Sequence, residues 1–502
     1  MVFSKPGDSA VSERASSPIH RNKLQVERPR HSWFDLERIY PIFIGLVTLV
    51  VIGYTLQRPW RGDFWQHSAA VGEFVIHPND PSHPIFGGPM QSHYMTPYAY
   101  AVALVARVTG VGAIGALELA GVVNCILILV GMRSLVSRLT ASERNSTSII
   151  AIVLGASLWG TVVAPWSGIY GLASFLLVLP YPSTFAAAMM IFFLAMFDRW
   201  LCGETRRTWP LSLFVLIIVL ISPFTAVNTV VGAVAFIVAR RPSWRQAGRL
   251  GVAIGVAAFL TALWPFYSLL DLLPAAGSFA DSTSALLDTV HGMSFLALVG
   301  LPALWYRFRK TARDPLCVLF AISTILLAVG YITGSASLAR VLPMAMAPAH
   351  LSLGQEIATR DRAIPRLWLV VTFVAISVGL TAQVGHLATS PRWPDYSWIA
   401  DHVQQSDVVA AEDVRARMSI PAFGGRIVTP HGPDPYIADA SQRTSDEVLL
   451  FDPTASGATK LRILDRYEVR WLLARKESVG GLPVTAVLTG PSGETLFQVV
   501  RE

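Results

Sequence analysis

A polar stretch of about forty residues carries a dense group of side chains that can take part in acid–base chemistry. It runs from Arg58 to Pro97 and interrupts a long series of hydrophobic segments. It holds four of the chain's 11 histidines and three acidic residues, namely Asp63, His67, Glu73, His77, Asp80, His83 and His93. A connection of this length between hydrophobic helices is uncommon unless it has a function. The stretch is therefore predicted to form one side of an active site.

Asp63 is predicted to be the acid–base residue of this site. The neighbouring Phe64 and Trp65 would partly desolvate its carboxylate near a membrane surface, and desolvation raises the pKa of a carboxyl group toward the range that a general base needs. The alternative is structural, because Asp is a good residue for capping the amino end of a helix. The two roles are compatible.

The histidines of the stretch have weaker assignments. If residues 62–74 are helical, His67 shares a face with Asp63 and can hydrogen-bond to it. His67 is therefore predicted to orient Asp63 or to contact a substrate. The alternative is a position at the membrane interface without a role in the site. The segment HPNDPSHP, with His77 and His83, suits an ordered turn and matches no known metal spacing. No metal site is predicted, and a divalent cation is kept as an alternative.

Arg340 is predicted to bind a phosphate group. It lies between two apolar runs, where a charge must be solvated or paired. Its planar guanidinium suits two phosphate oxygens, and the alternative is an arginine that extends to the lipid head groups. The other residues predicted to contact substrate are Arg61, Trp65 and His93. Aromatic residues near the ends of hydrophobic segments are interpreted as interface anchors or as rings that stack on a substrate, namely Tyr170, Tyr181, Trp166, Trp264 and Tyr267.

The composition is that of a multi-span membrane protein. Hydrophobic residues make up 53% of the 502 residues and charged residues only 15%, whereas a soluble domain carries about 25% charged residues. The net charge of +7 comes from Lys and Arg in short loops, which is typical of cytoplasmic loops. No basic patch interleaved with aromatics indicates a nucleic-acid partner. The three cysteines lie in or beside hydrophobic segments and suit neither a disulfide framework nor a zinc site.

The chain is predicted to have three parts. Residues 1–38 are polar, basic and rich in Ser and Pro, and predict a disordered cytoplasmic tail. Residues 39–389 predict a transmembrane domain of about eleven spans that includes the 58–97 loop, with a helix break at Ser222-Pro223. The distribution of Lys and Arg puts the amino terminus in the cytoplasm and the carboxyl terminus outside.

Residues 390–502 have the composition of a small α/β domain, predicted to be extracytoplasmic. Five short segments read as strands: DVVAAED, RIVTPH, RWLLARK, VTAVLTG and TLFQVV. Helical stretches are predicted around 397–406, 411–418 and 444–467. The predicted fold class is therefore a polytopic α-helical membrane protein with a carboxyl-terminal extracytoplasmic α/β domain.

This order of parts resembles the GT-C superfamily of integral membrane glycosyltransferases. The motifs that carry the resemblance are RGDFWQH at 61–67, the two His-Pro pairs, the segment TPYAYAVALVARVTG, and three carboxyl-terminal segments, namely WIADHVQQSDVVAAED, IPAFGGRIVTPHGPDPY and ILDRYEVRWLLARK. Many GT-C enzymes have a paired acidic motif in the first loop, whereas Asp63 has no acidic neighbour. The resemblance implies use of polyprenyl-phosphate-linked sugars, and the lone Asp63 does not indicate metal dependence.

The function expected from the resemblance is transfer of a sugar from a polyprenyl-phosphate donor to a cell-envelope acceptor. The acceptor would be a polysaccharide, a lipid or a protein, and the reaction would take place at the outer face of a bacterial cytoplasmic membrane with Asp63 as base. One alternative is a lipid-linked glycan transporter or flippase, which would predict inverted repeats that the sequence does not have. The other is a non-catalytic glycan-binding membrane scaffold, in which the loop histidines would tolerate substitution.

Overall fold

The computed structural model describes residues 36–140, 144–163, 168–272, 284–359, 365–430, 432 and 434–501. The predicted tail, residues 1–38, lies outside the described residues except for its last three, which begin the first helix. Trp166 also lies outside them.

The part of the chain before residue 390 is a bundle of helices. In chain order they are α1 (Leu36–Thr55), α2 (Phe64–Ile76), α3 (Pro97–Thr109), α4 (Ala113–Leu139), α5 (Arg144–Ser157), α6 (Leu172–Leu177), α7 (Pro182–Leu201), α8 (Trp209–Ile221), α9 (Pro223–Arg240), α10 (Trp244–Ala262), α11 (Leu269–Leu272), α12 (Ser284–Ser294), α13 (Leu301–Lys310), α14 (Pro315–Thr333), α15 (Ala336–Ala339), α16 (Leu342–Ala358) and α17 (Arg366–Thr389). A 3₁₀ segment, Phe295–Gly300, joins α12 to α13.

Within the described residues, 6 helical segments are long and apolar enough to cross a membrane. They are Ala113–Leu139, Pro182–Leu201, Pro223–Arg240, Leu287–Lys310, Pro315–Thr333 and Arg366–Thr389. Shorter apolar helices cover Ile39–Thr55, Asn145–Ser157 and Trp209–Ile221. A polytopic helical protein is therefore confirmed, whereas the predicted number of about eleven spans is not. Part of the difference lies in helices such as α5, which has 14 residues and is shorter than a membrane crossing normally requires.

The predicted helix break at Ser222-Pro223 is confirmed. Helix α8 ends at Ile221 and α9 begins at Pro223, because proline lacks a backbone N–H and is favoured only in the first turn of a helix. The Ser222 hydroxyl accepts a hydrogen bond from the backbone N–H of Thr225 and caps α9. This break places the first turns of α9 beside the segment that carries Arg340.

The carboxyl-terminal domain is built on a five-stranded mixed sheet with the strand order β2-β1-β3-β5-β4. The strands are β1 (Val408–Ala411), β2 (Arg426–Ile427), β3 (Val469–Ala474), β4 (Val484–Thr489) and β5 (Thr495–Val499). Strands β1, β2 and β3 are parallel, and β5 is antiparallel to both β3 and β4. Its helices are α18 (Val414–Ser419), α19 (Ala440–Phe451) and α20 (Gly457–Arg466). All five predicted strands are present.

The helix predicted over 444–467 is two helices. Helix α19 ends at Phe451 and α20 begins at Gly457. The intervening Pro453 cannot donate a backbone hydrogen bond and disfavours helical geometry at the residue before it. Ser456 then caps α20 by accepting a hydrogen bond from the Thr459 N–H.

The loop between α1 and α3 docks on the carboxyl-terminal domain. The Arg426 guanidinium lies 2.7 Å from the Glu73 carboxylate in a buried ion pair. The same guanidinium donates to the backbone carbonyls of His83 and Pro84, at 3.0 and 2.7 Å. The backbone N–H of Ile427 donates to the Ile85 carbonyl at 3.0 Å, so the loop continues the hydrogen bonding of the β2 strand. The loop and the domain therefore lie at the same end of the helical bundle.

Candidate active site

Asp63 stands immediately before α2, and its side chain makes no capping hydrogen bond. The Asp63 carboxylate therefore does not cap α2, which was the structural alternative. Asp63 is exposed, so the desolvation expected from Phe64 and Trp65 is not observed. Both rings pack inward instead: Phe64 stacks on Trp60 with ring centroids 5.1 Å apart, and Trp65 is 8% exposed.

The turn that presents Asp63 is held by a buried tryptophan and a glycine. Trp60 is fully buried, and its indole N–H donates to the Glu118 carboxylate at 2.9 Å. Gly62 has a φ of 55°, in the left-handed region that glycine occupies without strain. Glu118 also lies 3.6 Å from Arg58, so this carboxylate, near the start of α4, anchors the turn. Asp63 is thereby kept at a defined position at the beginning of α2.

Two tyrosines lie within the electrostatic reach of Asp63. Burial is the main reason that the pKa values of Tyr94 and Tyr181 are raised, and the negative charge of Asp63 raises them further. The Tyr94 hydroxyl donates to the Gln66 side chain, and the Tyr181 hydroxyl donates to the Arg61 carbonyl at 2.8 Å. Both phenols are therefore neutral at physiological pH.

His67 lies between these two tyrosines. Its ring centroid is 5.3 Å from that of Tyr94 and 5.4 Å from that of Tyr181, with edge-on geometry in both cases. Its Nδ1 atom has no hydrogen-bond partner among the described residues, so this nitrogen does not hold Asp63. Burial, with a smaller contribution from His93, lowers the pKa of His67 from 6.5 to about 3. The imidazole is neutral and can exchange hydrogen bonds with a substrate, but it supplies no positive charge.

The neutral state of His67 makes stability depend on pH. The unfolded chain takes up a proton on this residue near pH 6.5, whereas the folded chain resists protonation down to about pH 3. Stability is therefore lost as the pH falls below 6.5, by at most about 1.4 kcal/mol per pH unit. We expect His67→Gln to flatten the pH dependence of unfolding between about pH 4.5 and 7. His402→Gln is the control, because His402 is exposed and its replacement should leave the pH dependence of unfolding unchanged. Parallel plots of stability against pH for wild type and His67→Gln would contradict a buried, neutral His67.

Arg340 reaches the same site from a distant part of the chain. It follows α15, and its guanidinium lies 3.9 Å from the centroid of the Phe224 ring. Its backbone carbonyl accepts a hydrogen bond from the Asn228 amide at 3.2 Å. Burial lowers the pKa of Arg340 to about 10, and the charge of Asp63 opposes this effect. Arg340 therefore stays protonated at neutral pH and lies within electrostatic reach of Asp63.

This arrangement of bundle, loop and domain is shared with solved structures. The oligosaccharyltransferase of Archaeoglobus fulgidus superposes with a TM-score of 0.55 at 10% identity, over 94% of this chain and 75% of that chain. ArnT from Cupriavidus metallidurans, bound to undecaprenyl phosphate, superposes with a TM-score of 0.55 at 14% identity, over 92% of this chain and 98% of that chain. The mycobacterial arabinofuranosyltransferase AftD gives a TM-score of 0.56 at 16% identity, over 92% of this chain and 40% of that chain.

The fold is that of the GT-C glycosyltransferases. The resemblance inferred from the sequence motifs is thus confirmed at the level of structure. No family model and no curated protein matches the sequence. At identities of 10 to 16% the likeness concerns the fold.

The other predicted substrate contacts have different positions in this GT-C fold. Arg61 lies close enough to Tyr54 and to His386, a residue of α17, for its positive charge to influence both side chains. The Trp65 ring faces the carboxyl-terminal domain and lies 5.5 Å from the Phe423 ring. His93 lies beside Tyr94 with ring centroids 4.2 Å apart. Their contact with substrate stays a prediction.

Several residues of the site were not singled out from the sequence. Tyr94 directly follows His93, a predicted substrate contact, and this position in the loop was the sequence feature that could have indicated its role. Asn228 is a polar residue in the apolar helix α9, and such residues often have a function. Nothing in the sequence marked Phe224 or Asp434, a residue of the carboxyl-terminal domain whose charge acts on Tyr94.

A cavity of about 150 Å³ lies inside the bundle. Its lining is almost wholly apolar and comes mainly from α4, α5, α7, α14 and α16, with Pro343 and Tyr170 among its residues. His350 also lines it and places its Nε2 atom 2.9 Å from the Leu158 carbonyl, so this residue faces the bundle interior. In the described part of the chain, no group of three or more His, Cys, Asp or Glu side chains is arranged to hold a metal ion.

Proposed function

We propose that this protein is a membrane glycosyltransferase that moves a sugar from a polyprenyl-phosphate-linked donor to a cell-envelope acceptor. The observation that carries the proposal is that Asp63 and Arg340, which are far apart in the sequence, lie close enough in the fold for the charge of Asp63 to act on the Arg340 guanidinium. A base and a phosphate binder are the two groups that this reaction requires. The GT-C fold supports the same reaction class.

The reaction is a displacement at the anomeric carbon with inversion. The acceptor oxygen forms a bond to this carbon while the bond from the carbon to the phosphate oxygen breaks. The acceptor's proton moves to the Asp63 carboxylate, and the bonding electron pair leaves with the polyprenyl phosphate. Arg340 donates hydrogen bonds to the phosphate oxygens and stabilises the charge that develops on them.

The other residues of the site suit sugar binding. Tyr94, Tyr181 and His67 are neutral, so they offer hydrogen bonds and ring faces without competing for the charged phosphate. The exposure of Asp63 allows an acceptor hydroxyl to approach its carboxylate.

The bundle cavity supports a lipid-linked donor. Pro343, three residues after Arg340, lines it, and Leu139, the last residue of α4, also lines it. A phosphate at Arg340 would therefore bring the start of the polyprenyl chain beside a segment that borders an apolar space. We place the protein in the cytoplasmic membrane with the amino terminus inside. The site, the loop and the carboxyl-terminal domain would then face outward.

Replacing Arg340 with Gln tests the phosphate assignment. Loss of charge-assisted hydrogen bonds worth about 1.5–3 kcal/mol is expected to weaken binding of polyprenyl phosphate by about tenfold to a hundredfold. Binding to the detergent-solubilised protein can be measured by titration with polyprenyl phosphate. The exposed Arg392 provides a control, since Arg392→Gln removes the same charge from a solvated position. Equal affinity in wild type and Arg340→Gln would reject the assignment.

The proposed function is tested with purified protein in lipid vesicles that contain a polyprenyl-phosphate pentose or hexose. The expected result is release of polyprenyl phosphate that depends on an added acceptor. Movement of the intact lipid across the vesicle membrane without loss of its sugar would favour a flippase. Binding of glycan without either event would favour a scaffold.

A further inference from the structure

We propose that Asp434, from the carboxyl-terminal domain, is a positioning residue of the candidate active site. It acts by holding His83 and thereby the loop segment 82–95, which carries His93 and Tyr94. The inference deepens the proposed glycosyltransferase function and rests on it for its kinetic test. It assigns to the domain a role in the geometry of the site.

The contact between Asp434 and His83 is buried and specific. The Asp434 Oδ2 atom lies 3.3 Å from His83 Nε2, and the two side chains are 4% and 0% exposed. His83 Nδ1 accepts hydrogen bonds from the backbone N–H groups of Ile85 and Phe86, at 3.2 and 3.3 Å. Because Nδ1 accepts, the ring proton is on Nε2, and this nitrogen meets the carboxylate in a close electrostatic contact rather than an aligned hydrogen bond. The His83 imidazole thus connects Asp434 of the carboxyl-terminal domain to the backbone of Ile85 and Phe86 in the loop.

The charge of Asp434 is retained in this buried place. Burial alone would raise the pKa of Asp434, but the neighbouring His83 and His93 lower it overall. The carboxylate also accepts the backbone N–H of Tyr436 at 3.1 Å. An ionised, hydrogen-bonded carboxylate is costly to desolvate and is stable only while these partners stay in place. Movement of His83 away from Asp434 is therefore strongly opposed.

The effect of Asp434 extends to the site. Its charge acts on His93 and on Tyr94, and Tyr94 also feels the charge of Asp63. Tyr94 is therefore influenced by two carboxylates, one from the bundle and one from the carboxyl-terminal domain. The ring of Tyr94 packs against His67, the neutral residue one turn after Asp63. A shift of Tyr94 would change the surroundings of both His67 and Asp63.

The same loop segment is also held from the bundle side. The Ser92 N–H donates to the Phe266 carbonyl at 3.3 Å, and the Trp264 indole N–H donates to the Met95 carbonyl at 3.0 Å. The Tyr436 hydroxyl, two residues after Asp434, donates to the Ser268 carbonyl at 2.8 Å. Segment 82–95 is therefore fixed between the bundle loop and the domain. On the domain side Arg426 holds the His83 and Pro84 carbonyls, and Asp434 holds the His83 ring.

The kinetic test compares Asp434→Asn with Asp446→Asn. Asn keeps the shape of the side chain and removes its charge, so the hold on His83 weakens. We expect the turnover number to fall by about tenfold to a hundredfold, because small misplacements at a reacting centre have effects of this size. The KM for the lipid donor should change by less than about twofold. Asp446 is the control, since it is buried in the same domain and pairs with Arg466 and Tyr467 rather than with a residue of the loop.

A double-mutant cycle tests whether Asp434 acts through His83. The variant with both Asp434→Asn and His83→Gln is expected to be no slower than the worse single variant, because both changes remove one interaction. If the two effects multiply, Asp434 acts by another route and the inference is wrong. Equal losses for Asp434→Asn and Asp446→Asn would also overturn it, since they would indicate general weakening of the domain.

A readout independent of transfer separates this inference from the proposed function. Amide hydrogen exchange in segment 82–95 is expected to be faster in Asp434→Asn than in wild type and unchanged in Asp446→Asn. Unchanged exchange in Asp434→Asn would overturn the positioning role whatever the protein catalyses. Faster exchange together with an absence of transferase activity in wild type would reject the proposed function and keep the structural assignment.

Discussion

Asp63→Asn is expected to lower the turnover number by about a hundredfold to ten-thousandfold, the range by which a general base accelerates proton transfer. Asparagine has the same shape and still forms hydrogen bonds, but it cannot accept the acceptor's proton. The carboxylate makes no capping hydrogen bond to α2. The substitution should therefore leave the fold intact, and the loss should appear in turnover. Transfer from a polyprenyl-phosphate sugar by purified protein measures it.

The same loop supplies a control for the Asp63 experiment. Asp80 is an exposed carboxylate in the loop and belongs to none of the contacts that form the site. Asp80→Asn should leave turnover unchanged while making the same change of charge. Turnover of Asp63→Asn within about twofold of wild type would remove Asp63 from the chemistry. A large rise in the KM for donor with unchanged turnover would instead assign Asp63 to binding.

Arg426→Met is expected to destabilise the protein by about 3–5 kcal/mol, because it leaves the Glu73 carboxylate buried without its partner. The Glu73 and Arg426 side chains are 2% and 10% exposed. Arg426 also satisfies the carbonyls of His83 and Pro84, which lose a donor in the variant. The loss should appear as a lower Tm and as faster proteolytic release of the carboxyl-terminal domain.

An exposed ion pair in the same domain gives the comparison for Arg426. Arg415 pairs with Asp413 at 2.7 Å, with side chains 45% and 26% exposed. Arg415→Met should cost less than about 1 kcal/mol, since solvent screens exposed pairs. Adding Glu73→Leu to Arg426→Met should recover much of the lost stability, because the unpaired buried charge is removed. A Tm for Arg426→Met equal to that of Arg415→Met would contradict a docking role.

Local features of the fold could be predicted because their causes are local. Hydrophobic runs predicted the helical bundle, and the alternation of apolar residues predicted all five strands of the carboxyl-terminal sheet. Pro223 ends one helix and begins the next through its own missing N–H. The number of spans was harder to predict, because helices such as α5 and α8 are shorter than a membrane crossing normally requires.

The sequence alone was sufficient to single out Asp63 and Arg340, since a carboxylate after a hydrophobic helix and an arginine between apolar runs stand out by type and position. Only the tertiary structure brought them within reach of each other and showed that Asp63 is exposed and does not cap its helix. It also added Tyr94, Asn228 and Asp434. These contacts join residues far apart in the chain, and no local pattern of hydrophobicity or spacing encodes which distant side chains pack together.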